Sequence, residues 1–228
     1  MSSRRLVTRP RVGLTQRVED LPDRAERRDA LDQEWVVLLE RAGLTPVPVA
    51  NVLLDPAEFV DAMDLALIIL TGGNDLAHLP GASNPAPERD ATEARLLDHA
   101  TAVGLPVLGV CRGMQMMVAH TGGVLTRVDG HVRSPHTLEL LDDTYWPIRD
   151  GRVVNSFHDW GVERGALGSF VALAVAPDDT VEAACHPELP QVCIMWHPER
   201  SPQDAADLDL INALLERETH ASNRSRRG

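Results

Sequence analysis

The sequence predicts an α/β protein in which helices flank a mostly parallel central sheet and a region of antiparallel strands follows toward the C-terminus. In the first half of the chain, strand-like apolar runs alternate with helix-like patterns. The run from Leu65 to Leu70 is continuously apolar, as expected for a strand that is buried on both faces. After Gly122-Gly123 the runs become short and are separated by turns, which is typical of antiparallel strands.

The first half supplies the expected parallel strands and their helices. Val12 to Val18 reads as the first strand, and residues 24–42 read as an amphipathic helix that Gly43 terminates. The next expected elements are a strand at Thr45 to Val49, a helix opening at Pro56, the strand at Leu65 to Leu70, a helix at Glu88 to Val103, an apolar strand ending at Cys111 and a helix from 112 to about 121.

The second half reads as antiparallel strands within residues 136–195, followed by an amphipathic helix at about 203–218. Val181 to Cys185 and Gln191 to Trp196 are expected to form a hairpin. We expect one domain over 10–218, with flexible tails at 1–9 and 219–228.

Composition narrows the classes of function. The 228 residues are 43% apolar, which suits a single globular domain. A net charge of −12 argues against nucleic acid or an anionic membrane as the partner. The chain contains no lysine, which excludes Schiff-base chemistry and covalently bound pyridoxal phosphate.

The three cysteines, Cys111, Cys185 and Cys193, form neither a disulfide framework nor a Cys-x-x-Cys metal signature. We therefore expect free thiols, no metal and no cofactor. The basic N-terminus is not followed by an apolar run of signal-peptide type, and no segment approaches the roughly 20 apolar residues of a membrane span. These features predict a cytoplasmic protein, and they leave a homodimer possible.

Cys111 lies in the run Gly109-Val-Cys-Arg-Gly113, between an apolar strand and an apolar helix. This arrangement is typical of a nucleophile elbow, in which glycines permit a sharp turn that holds the middle side chain above the sheet. The helix N-terminus favours the thiolate form of such a cysteine. The alternative is a small buried cysteine that only packs.

A cysteine nucleophile needs an imidazole base, and the tripeptide His-Pro-Glu occurs twice, at His186 and at His197. In an extended segment, residues i and i+2 share a face, so the glutamate can orient the imidazole. The hairpin would separate the two histidines by roughly 20 Å. We favour His197 with Glu199, because the long apolar strand before it leads to a sheet edge, and we interpret His186 as a turn residue.

The oxyanion of the intermediate would need two backbone N–H donors beside the cysteine. The elbow supplies the amide of Arg112. Gly73 can supply the second amide if the strand at Leu65 to Leu70 neighbours the elbow strand, although a Gly-Gly pair is also compatible with a plain turn.

Four segments together resemble the class I glutamine amidotransferase-like superfamily over about residues 10–217: Thr71-Gly-Gly-Asn-Asp75, Gly109-Val-Cys-Arg-Gly-Met-Gln115, Asn155-Ser-Phe-His158 and Trp196-His-Pro-Glu199. The resemblance implies a flavodoxin-like fold and cleavage of a γ-glutamyl amide through a glutamyl thioester. It implies catalytic roles for Cys111, His197 and Glu199 and oxyanion amides at Gly73 and Arg112.

The resemblance also implies how a small γ-glutamyl substrate is bound. Gln115 matches a position that holds the glutamyl group, and the segment from His158 through Asp159 to Trp160 matches one whose backbone recognises its α-amino and α-carboxylate groups. Asn155 and Ser156 belong to an element that looks like that of free-standing γ-glutamyl hydrolases. Trp160 stands where those hydrolases often have glutamine.

The stretches Gly13-Leu-Thr-Gln-Arg-Val18 and Glu26 to Trp35 are similar to a narrower group, the γ-glutamyl-CDP-amidate hydrolases, which act in capsule modification. This similarity implies release of cytidine diphosphoramidate and glutamate. Gln16 and Arg17 follow the first strand, at the edge where open α/β sheets bind ligands. An arginine there suits a diphosphate, although an ordinary surface salt bridge is the commoner use.

Other functions remain open at this point. They are a hydrolase similar to the γ-glutamyl-γ-aminobutyrate hydrolases, a glutaminase subunit that feeds ammonia to a synthetase, and a non-catalytic stress-response protein of the same fold. The stress-response branch typically has histidine directly after the elbow cysteine, where this chain has Arg112, and it lacks the terminal His-Pro-Glu. An α/β-hydrolase with a cysteine elbow should carry a separate acid before a late histidine.

Overall fold

The computed structural model describes residues 9–141, 146–201 and 204–225. Its strands are β1 (Arg11–Thr15), β2 (Arg17–Leu21), β3 (Glu26–Ala30), β4 (Thr45–Val49), β5 (Leu65–Leu70), β6 (Val107–Val110), β7 (Leu125–Arg127), β8 (His136–Thr137), β9 (Glu139–Leu140), β10 (Val153–Val154), β11 (Trp160–Val162), β12 (Val171–Val175), β13 (Val181–Cys185) and β14 (Gln191–Ile194). Its helices are α1 (Glu34–Arg41), α2 (Pro56–Met63), α3 (Pro87–Val103), α4 (Arg112–His120) and α5 (Ala205–Ser225), with 3-10 turns at Pro22–Arg24, Arg164–Ala166 and Pro198–Arg200.

The central sheet confirms the predicted fold class. Eight strands are ordered β4-β1-β5-β6-β14-β13-β12-β9. The first five of these strands pair in parallel, and the last three continue the sheet through antiparallel pairs. The remaining described strands form three two-stranded ribbons, β10-β8, β11-β7 and β2-β3. Because β5 lies directly beside β6, the loops that follow these two strands meet at one edge of the sheet.

Helices cover both faces of the sheet, and strand β5 shows why its sequence is continuously apolar. Ile68 and Leu70 belong to one core cluster, whereas Leu67 and Ile69 belong to the other. Successive side chains of a strand point to opposite faces, so both faces of β5 must be apolar. Each such fully buried side chain contributes about 1.5–3 kcal/mol relative to exposure. The first cluster includes side chains of α2, α3 and α4, and the second includes side chains of α1 and α5.

The prediction of one helix over residues 24–42 is wrong in its first half, and the first strand ends at Thr15. Residues 17–30 instead form the antiparallel hairpin β2-β3, and α1 begins only at Glu34. The side chains of β3 are exposed or half-buried, so no apolar alternation marks it as a strand. The apolar residues at helical spacing lie between Leu31 and Ala42, so they carry no information on residues 24–30.

Side chains from the body of the protein hold this hairpin. The side chain of Asn74 accepts a hydrogen bond from the backbone N–H of Val18 at 2.7 Å and donates to its carbonyl at 2.9 Å. Asp29 accepts from the backbone and side-chain amides of Asn51 at 2.9 and 2.8 Å. These contacts span more than 20 residues of sequence, so local propensity could not predict them, and they leave Arg17 beside the loop that follows β5.

The C-terminal hairpin forms as predicted, with Ala184 opposite Cys193 and His186 at its closed end. The outer side of β14 pairs in parallel with β6, with Ile194 beside Val110. Strand β14 therefore ends at the same sheet edge as the elbow strand.

The last helix extends to Ser225, beyond its expected end. Residues 1–8 and 226–228 of the expected tails lie outside the described residues. Within the described part of the chain, none of the helices combines the length and the apolar character that crossing a membrane requires.

Candidate active site

Cys111 lies in the sharp turn between β6 and α4, with φ 53° and ψ −108°. A positive φ is rare for a residue with a side chain and costs on the order of 1–3 kcal/mol. Packing compensates for this strain: a Cβ on Gly113 would lie 2.0 Å from the carbonyl oxygen of Leu70, and one on Gly109 would lie 2.8 Å from the Gly113 backbone. The two glycines therefore allow α4 to approach the sheet closely enough to hold Cys111 in the turn.

His197 and Glu199 follow β14 at this edge. Nδ1 of His197 lies 2.7 Å from Oε1 of Glu199, and both side chains are buried. A Cβ on Gly72 would lie 2.6 Å from Cε1 of His197 and 3.6 Å from Cβ of Cys111, so the imidazole and the cysteine flank the same glycine. The structure thus brings together the three residues that the sequence nominates as a triad.

The surroundings of His197 favour its protonated form. Burial alone would lower the pKa of His197, but hydrogen bonding and charge interaction with Cys111, together with Glu199, raise it to about 9. An imidazolium is therefore favoured at neutral pH. A histidine in this state can donate a proton to a departing group.

The backbone of His197 is fixed by Asn155. The Asn155 side chain accepts from the N–H of His197 and donates to its carbonyl, each at 2.9 Å. Asn155 thus acts as an extra strand partner at the end of β14. Its amide is fully engaged and is not among the residues that line the cavity at Cys111.

The loop Thr71-Gly72-Gly73 after β5 is held by Arg89, a fully buried arginine of α3. The guanidinium donates to the carbonyls of Thr71 at 2.6 Å, Gly72 at 3.2 Å and Gly73 at 2.6 Å. In a planar trans peptide, N–H and C=O point in opposite directions. Because the Gly72 carbonyl faces Arg89, the N–H of Gly73 points away from it.

A buried ion network connects this loop to the elbow. Arg89 pairs with Glu93 at 2.8 Å, and Arg112 pairs with both Glu93 and Asp90. Burial together with the charge of Arg112 lowers the pKa of Arg89 to about 10. Burial raises the pKa of Glu93, but Arg112 and Arg89 lower it more, so its pKa lies below its usual range. The side chain of Arg112 is thus turned into the protein, while its amide begins α4.

The roles of Arg89, Asp90 and Glu93 are not predicted from the sequence. The available signal was the i, i+4 pair of Arg89 and Glu93 within a helix that must pack against the sheet. Buried charged groups of this kind are expected to have partners of opposite charge. Arg112 is the one charged residue of the elbow and so is a candidate partner for Glu93.

Two cavities border the loop after β5. The larger, about 210 Å³, lies in front of Cys111, and its lining includes the predicted site residues Arg17, Gly73, Arg112, Gln115, His158, Asp159 and Trp160. The smaller, about 70 Å³, is lined in part by Trp35, His197, Glu199 and Arg200. Arg17 and Gly73 line both cavities. The thiol and the imidazole therefore face adjoining spaces.

Within the larger cavity, the carbonyl of Trp160 is the common partner of two site residues. It accepts from the side-chain amide of Gln115 at 3.0 Å and lies 3.1 Å from Nδ1 of His158. Arg127 stacks on the Trp160 ring at 4.4 Å and pairs with Asp159. These contacts fix the backbone of segment 158–160 along the cavity wall.

Two further candidates do not reach the cavity. The side chain of Gln16 donates to the carbonyl of Val49 at 3.1 Å, which ties the end of β1 to β4. The buried hydroxyl of Ser156 donates to the carbonyl of His131 at 2.6 Å. Neither residue lines either cavity, and the substrate contacts expected of them stay predictions.

Comparison with known proteins agrees with this architecture. Residues 10–199 match the model of the Peptidase C26 family. A γ-glutamyl-CDP-amidate hydrolase of Campylobacter jejuni is 28% identical, over 83% of this chain and 90% of that protein. A putative glutamine amidotransferase of Mycobacterium tuberculosis is 30% identical, over 92% of this chain and 75% of that protein.

The fold also resembles a solved structure, a glutamine amidotransferase from Thermotoga maritima. The TM-score is 0.64 at 17% identity, covering 92% of this chain and 98% of that one. The family model, the relatives and the elbow at the edge of a mostly parallel sheet lead to one conclusion: the chain belongs to the Peptidase C26 family, which is class I glutamine amidotransferase-like.

Proposed function

We propose that this protein hydrolyses a γ-glutamyl amide bond through a thioester at Cys111 and releases glutamate. The observation that carries the proposal is Cys111 at φ 53° in the elbow, with the His197–Glu199 pair beside it. A strained cysteine at a helix N-terminus, next to an imidazole oriented by a carboxylate, is the arrangement that nucleophilic catalysis requires.

In the first step, the Cys111 thiolate attacks the γ-carbonyl carbon, and the carbonyl oxygen gains negative charge. The amides of Gly73 and Arg112 receive that charge. The orientation of the Gly73 N–H, set by Arg89 on the opposite side of the peptide, supports this role. Each such donor, fixed before the reaction, is worth about 10²–10³-fold in rate.

In the second step, the imidazolium of His197 protonates the leaving nitrogen as the carbon–nitrogen bond breaks, which leaves a glutamyl thioester. Neutral His197 then takes a proton from water, and the water attacks the thioester. Glutamate departs, and the Cys111 thiolate and the His197 imidazolium are restored. Glu199 orients the ring and stabilises its positive charge throughout.

The two cavities support a division of the substrate. The glutamyl group fits the larger cavity, where Gln115 and the backbone of 158–160 line the wall near Cys111. The leaving nitrogen would lie toward the smaller cavity, because His197, the proton donor, lines it, and the rest of a leaving group as large as cytidine diphosphoramidate would extend beyond that cavity.

The guanidinium groups of Arg17 and Arg200 favour an anionic leaving group. Both arginines line the smaller cavity and are exposed. Arg17 has a 3.7 Å contact with Glu19, and Arg200 stacks on Phe157 at 3.9 Å. Planar guanidinium groups pair well with phosphate oxygens. Our preferred substrate is γ-glutamyl-CDP-amidate, which would yield cytidine diphosphoramidate and glutamate for capsule phosphoramidate synthesis.

The relative from Campylobacter jejuni carries that substrate in its name and supports the choice. All three cysteines are free thiols, which suits the reducing cytoplasm where we place the reaction.

The test is glutamate release from three compounds: glutamine, γ-glutamyl-γ-aminobutyrate and γ-glutamyl-CDP-amidate. We expect the highest kcat/KM with the CDP-amidate and no glutamate release from any of them by Cys111→Ser. Full activity of Cys111→Ser, or no release from all three compounds by the unsubstituted protein, would overturn the proposal. Preference for glutamine would instead identify a glutaminase.

A matched pair of variants tests the leaving-group site. Arg17→Ala should lower kcat/KM for the CDP-amidate by about 10- to 100-fold, since one guanidinium–phosphate contact is lost. The same variant should change kcat/KM for γ-glutamyl-γ-aminobutyrate by less than about threefold. Arg24→Ala, an exposed arginine in the turn of the same hairpin, is the control and should leave both substrates unaffected.

A further inference from the structure

A second cluster of titratable side chains lies behind the wall of the larger cavity, and of its members only His158 also lines that cavity. Its centre is Glu182 of β13, whose side chain is fully buried. Oε1 of Glu182 lies 3.5 Å from Nδ1 of His131, 3.1 Å from Nε2 of His136 and 3.4 Å from Nε2 of His158. A buried carboxylate surrounded by three imidazoles requires a compensating positive charge.

Contacts on the far side of two rings determine where their lone pairs point. Nε2 of His131 lies 2.8 Å from the carboxylate of Asp178 and is therefore its donor. Nδ1 of His158 lies 3.1 Å from the Trp160 carbonyl and must donate to it. In a neutral imidazole the other nitrogen is an acceptor. When the two rings are neutral, each directs a lone pair at the Glu182 carboxylate.

The imidazole nitrogens and carboxylate oxygens at the centre of the cluster have no hydrogen-bond partner. Although they approach Glu182 closely, Nδ1 of His131, Nε2 of His136 and Nε2 of His158 form no hydrogen bond with acceptable geometry, and neither do the carboxylate oxygens of Glu182. Buried atoms without a hydrogen-bond partner, contributed by three buried side chains and the partly buried His136, are what a cation site presents.

The spacing fits a small transition-metal ion. Zn²⁺ binds imidazole nitrogen and carboxylate oxygen at about 2.0–2.2 Å in tetrahedral geometry, which puts neighbouring ligand atoms about 3.3–3.5 Å apart. The three nitrogen–oxygen distances of 3.1–3.5 Å lie close to that edge length. The donor atoms of His131, His136 and Glu182 all lie within 4.8 Å of one another.

We propose that His131, His136 and Glu182 bind a divalent transition metal, with Zn²⁺ as the reference ion and His158 beside the fourth coordination position. Asp178 serves as the outer carboxylate that orients His131, an arrangement common around metal-bound histidines. When the imidazoles are neutral, the carboxylates of Glu182 and Asp178 carry two negative charges, which one divalent cation balances.

Protons are the competing occupants of the same cluster. Interaction with the carboxylates of Glu182 and Asp178 raises the pKa of His131 to about 9, despite the opposing effect of burial. Burial raises the pKa of Glu182, but the three histidines hold it well below its usual range. A metal titration distinguishes the two alternatives. A cluster that holds a metal binds it in a fixed ratio to the chain, and a cluster that holds only protons does not.

The position of the cluster assigns the metal a structural role. His136 begins β8, His131 lies in the preceding loop, and His158 follows the segment that carries Asn155. The bound ion would therefore connect residues 131–136 to β13, beside His158. Because Asn155 holds His197, and the carbonyl of Trp160 contacts both His158 and Gln115, the metal would support the active-site wall without touching the reacting atoms.

The experiment uses the full chain after chelator treatment, titrated with Zn²⁺ by calorimetry and checked by elemental analysis after gel filtration. A Cys111→Ser form is titrated in parallel so that the active-site thiol does not contribute. We expect about one Zn²⁺ per chain in both forms. Glu182→Gln and His136→Ala should each weaken binding by at least about 100-fold, and Asp178→Asn by about 10- to 100-fold.

His120→Ala is the matched control, because His120 lies 2.9 Å from Asp98 in a surface pair outside the cluster. It should bind Zn²⁺ like the unsubstituted protein. X-ray absorption of the unsubstituted protein should show imidazole nitrogen and oxygen ligands at about 2.0–2.1 Å, a readout that does not depend on any variant folding.

The proposal is overturned if the unsubstituted chain shows no saturable Zn²⁺ binding. It is equally overturned if folded Glu182→Gln and His136→Ala bind Zn²⁺ as tightly as the control. The measurement is independent of glutamate release, so failure of the metal site and failure of the proposed activity can be told apart.

Discussion

The tripeptide His-Pro-Glu occurs at His186 and at His197, only eleven positions apart, and its two copies have different structural surroundings. His186 closes the β13-β14 hairpin, where its Nδ1 accepts from the backbone amides of Glu188 and Leu189 at 3.1 Å. His197 stands at the other end of β14, where its Nδ1 faces the carboxylate of Glu199 at 2.7 Å. The same three residues thus form a local turn in one place and an oriented base in the other.

The difference teaches that sheet position assigns the role of the tripeptide. Strand β14 runs parallel to β6, so its C-terminal end emerges beside Cys111, and its N-terminal end, with His186, lies at the opposite edge. Ligand sites of open α/β sheets gather at the carboxyl ends of the parallel strands. Only His197 is delivered to that edge.

The largest expected effect comes from replacing each of the two histidines, in separate variants, by asparagine, which cannot transfer protons. His197→Asn should lower kcat by about 10⁴-fold, because loss of a triad imidazole removes both base and acid. His186→Asn should change kcat by less than about twofold. Steady-state glutamate release measures both variants, and comparable losses in the two would mean that the comparison between the copies is mistaken.

Substitutions of the two glutamates, Glu199 and Glu188, should differ in their effect on the pH dependence of kcat/KM. The pKa of His197 is raised to about 9, so its imidazolium is retained up to that pH and is lost as the pH rises further. We expect kcat/KM to fall about tenfold per pH unit above about 9. Glu199→Gln removes one cause of the raised pKa, so the fall should begin at lower pH, with about 100-fold lower kcat/KM at pH 7.

Glu188→Gln is the control for that profile. Its glutamate is exposed at the hairpin turn and only its backbone contacts His186. In this variant the fall of kcat/KM at alkaline pH should still begin at about pH 9. A limb that does not move in Glu199→Gln would argue against Glu199 as the orienting carboxylate.

The smallest of the three effects is expected at Gly72, which lies against His197. A Cβ at Gly72 would lie 2.6 Å from Cε1 of His197, so Gly72→Ala must displace the ring. A misplacement of about 1 Å can cost about 100-fold, and we expect kcat to fall by about 10- to 100-fold with little change in KM. Gly165→Ala, where a Cβ meets nothing within 4 Å, should retain full activity in the same assay.

Sequence periodicity predicts those elements whose burial pattern is strong, and it fails where burial is weak. Strand β5 is apolar on both faces and has the bounds that its sequence predicts. The β2-β3 hairpin is mistaken in part for a helix, because its exposed charged residues carry no alternation. Its conformation depends on Asn74 and Asn51, which are distant in sequence.

The candidate site divides in the same way. Cys111, Gly73 and both His-Pro-Glu copies could be nominated from local pattern, because an elbow and a tight loop leave a signature in adjacent residues. For Arg89, Glu93 and Asp90 the local pattern offers only an i, i+4 pair, since their importance arises from burial beside Arg112 and the loop carbonyls. The cluster around Glu182 likewise draws on three separate segments.

The sequence by itself determined the α/β class, the elbow at Cys111 and the pair of candidate bases, because apolar periodicity and glycine placement act over a few residues. The tertiary structure alone decided which histidine lies against Cys111, which polar side chains face the cavities and which serve the backbone. It also decided that His131, His136 and His158 converge on Glu182. These outcomes depend on strand order and register, which bring distant residues together and which local pattern does not encode.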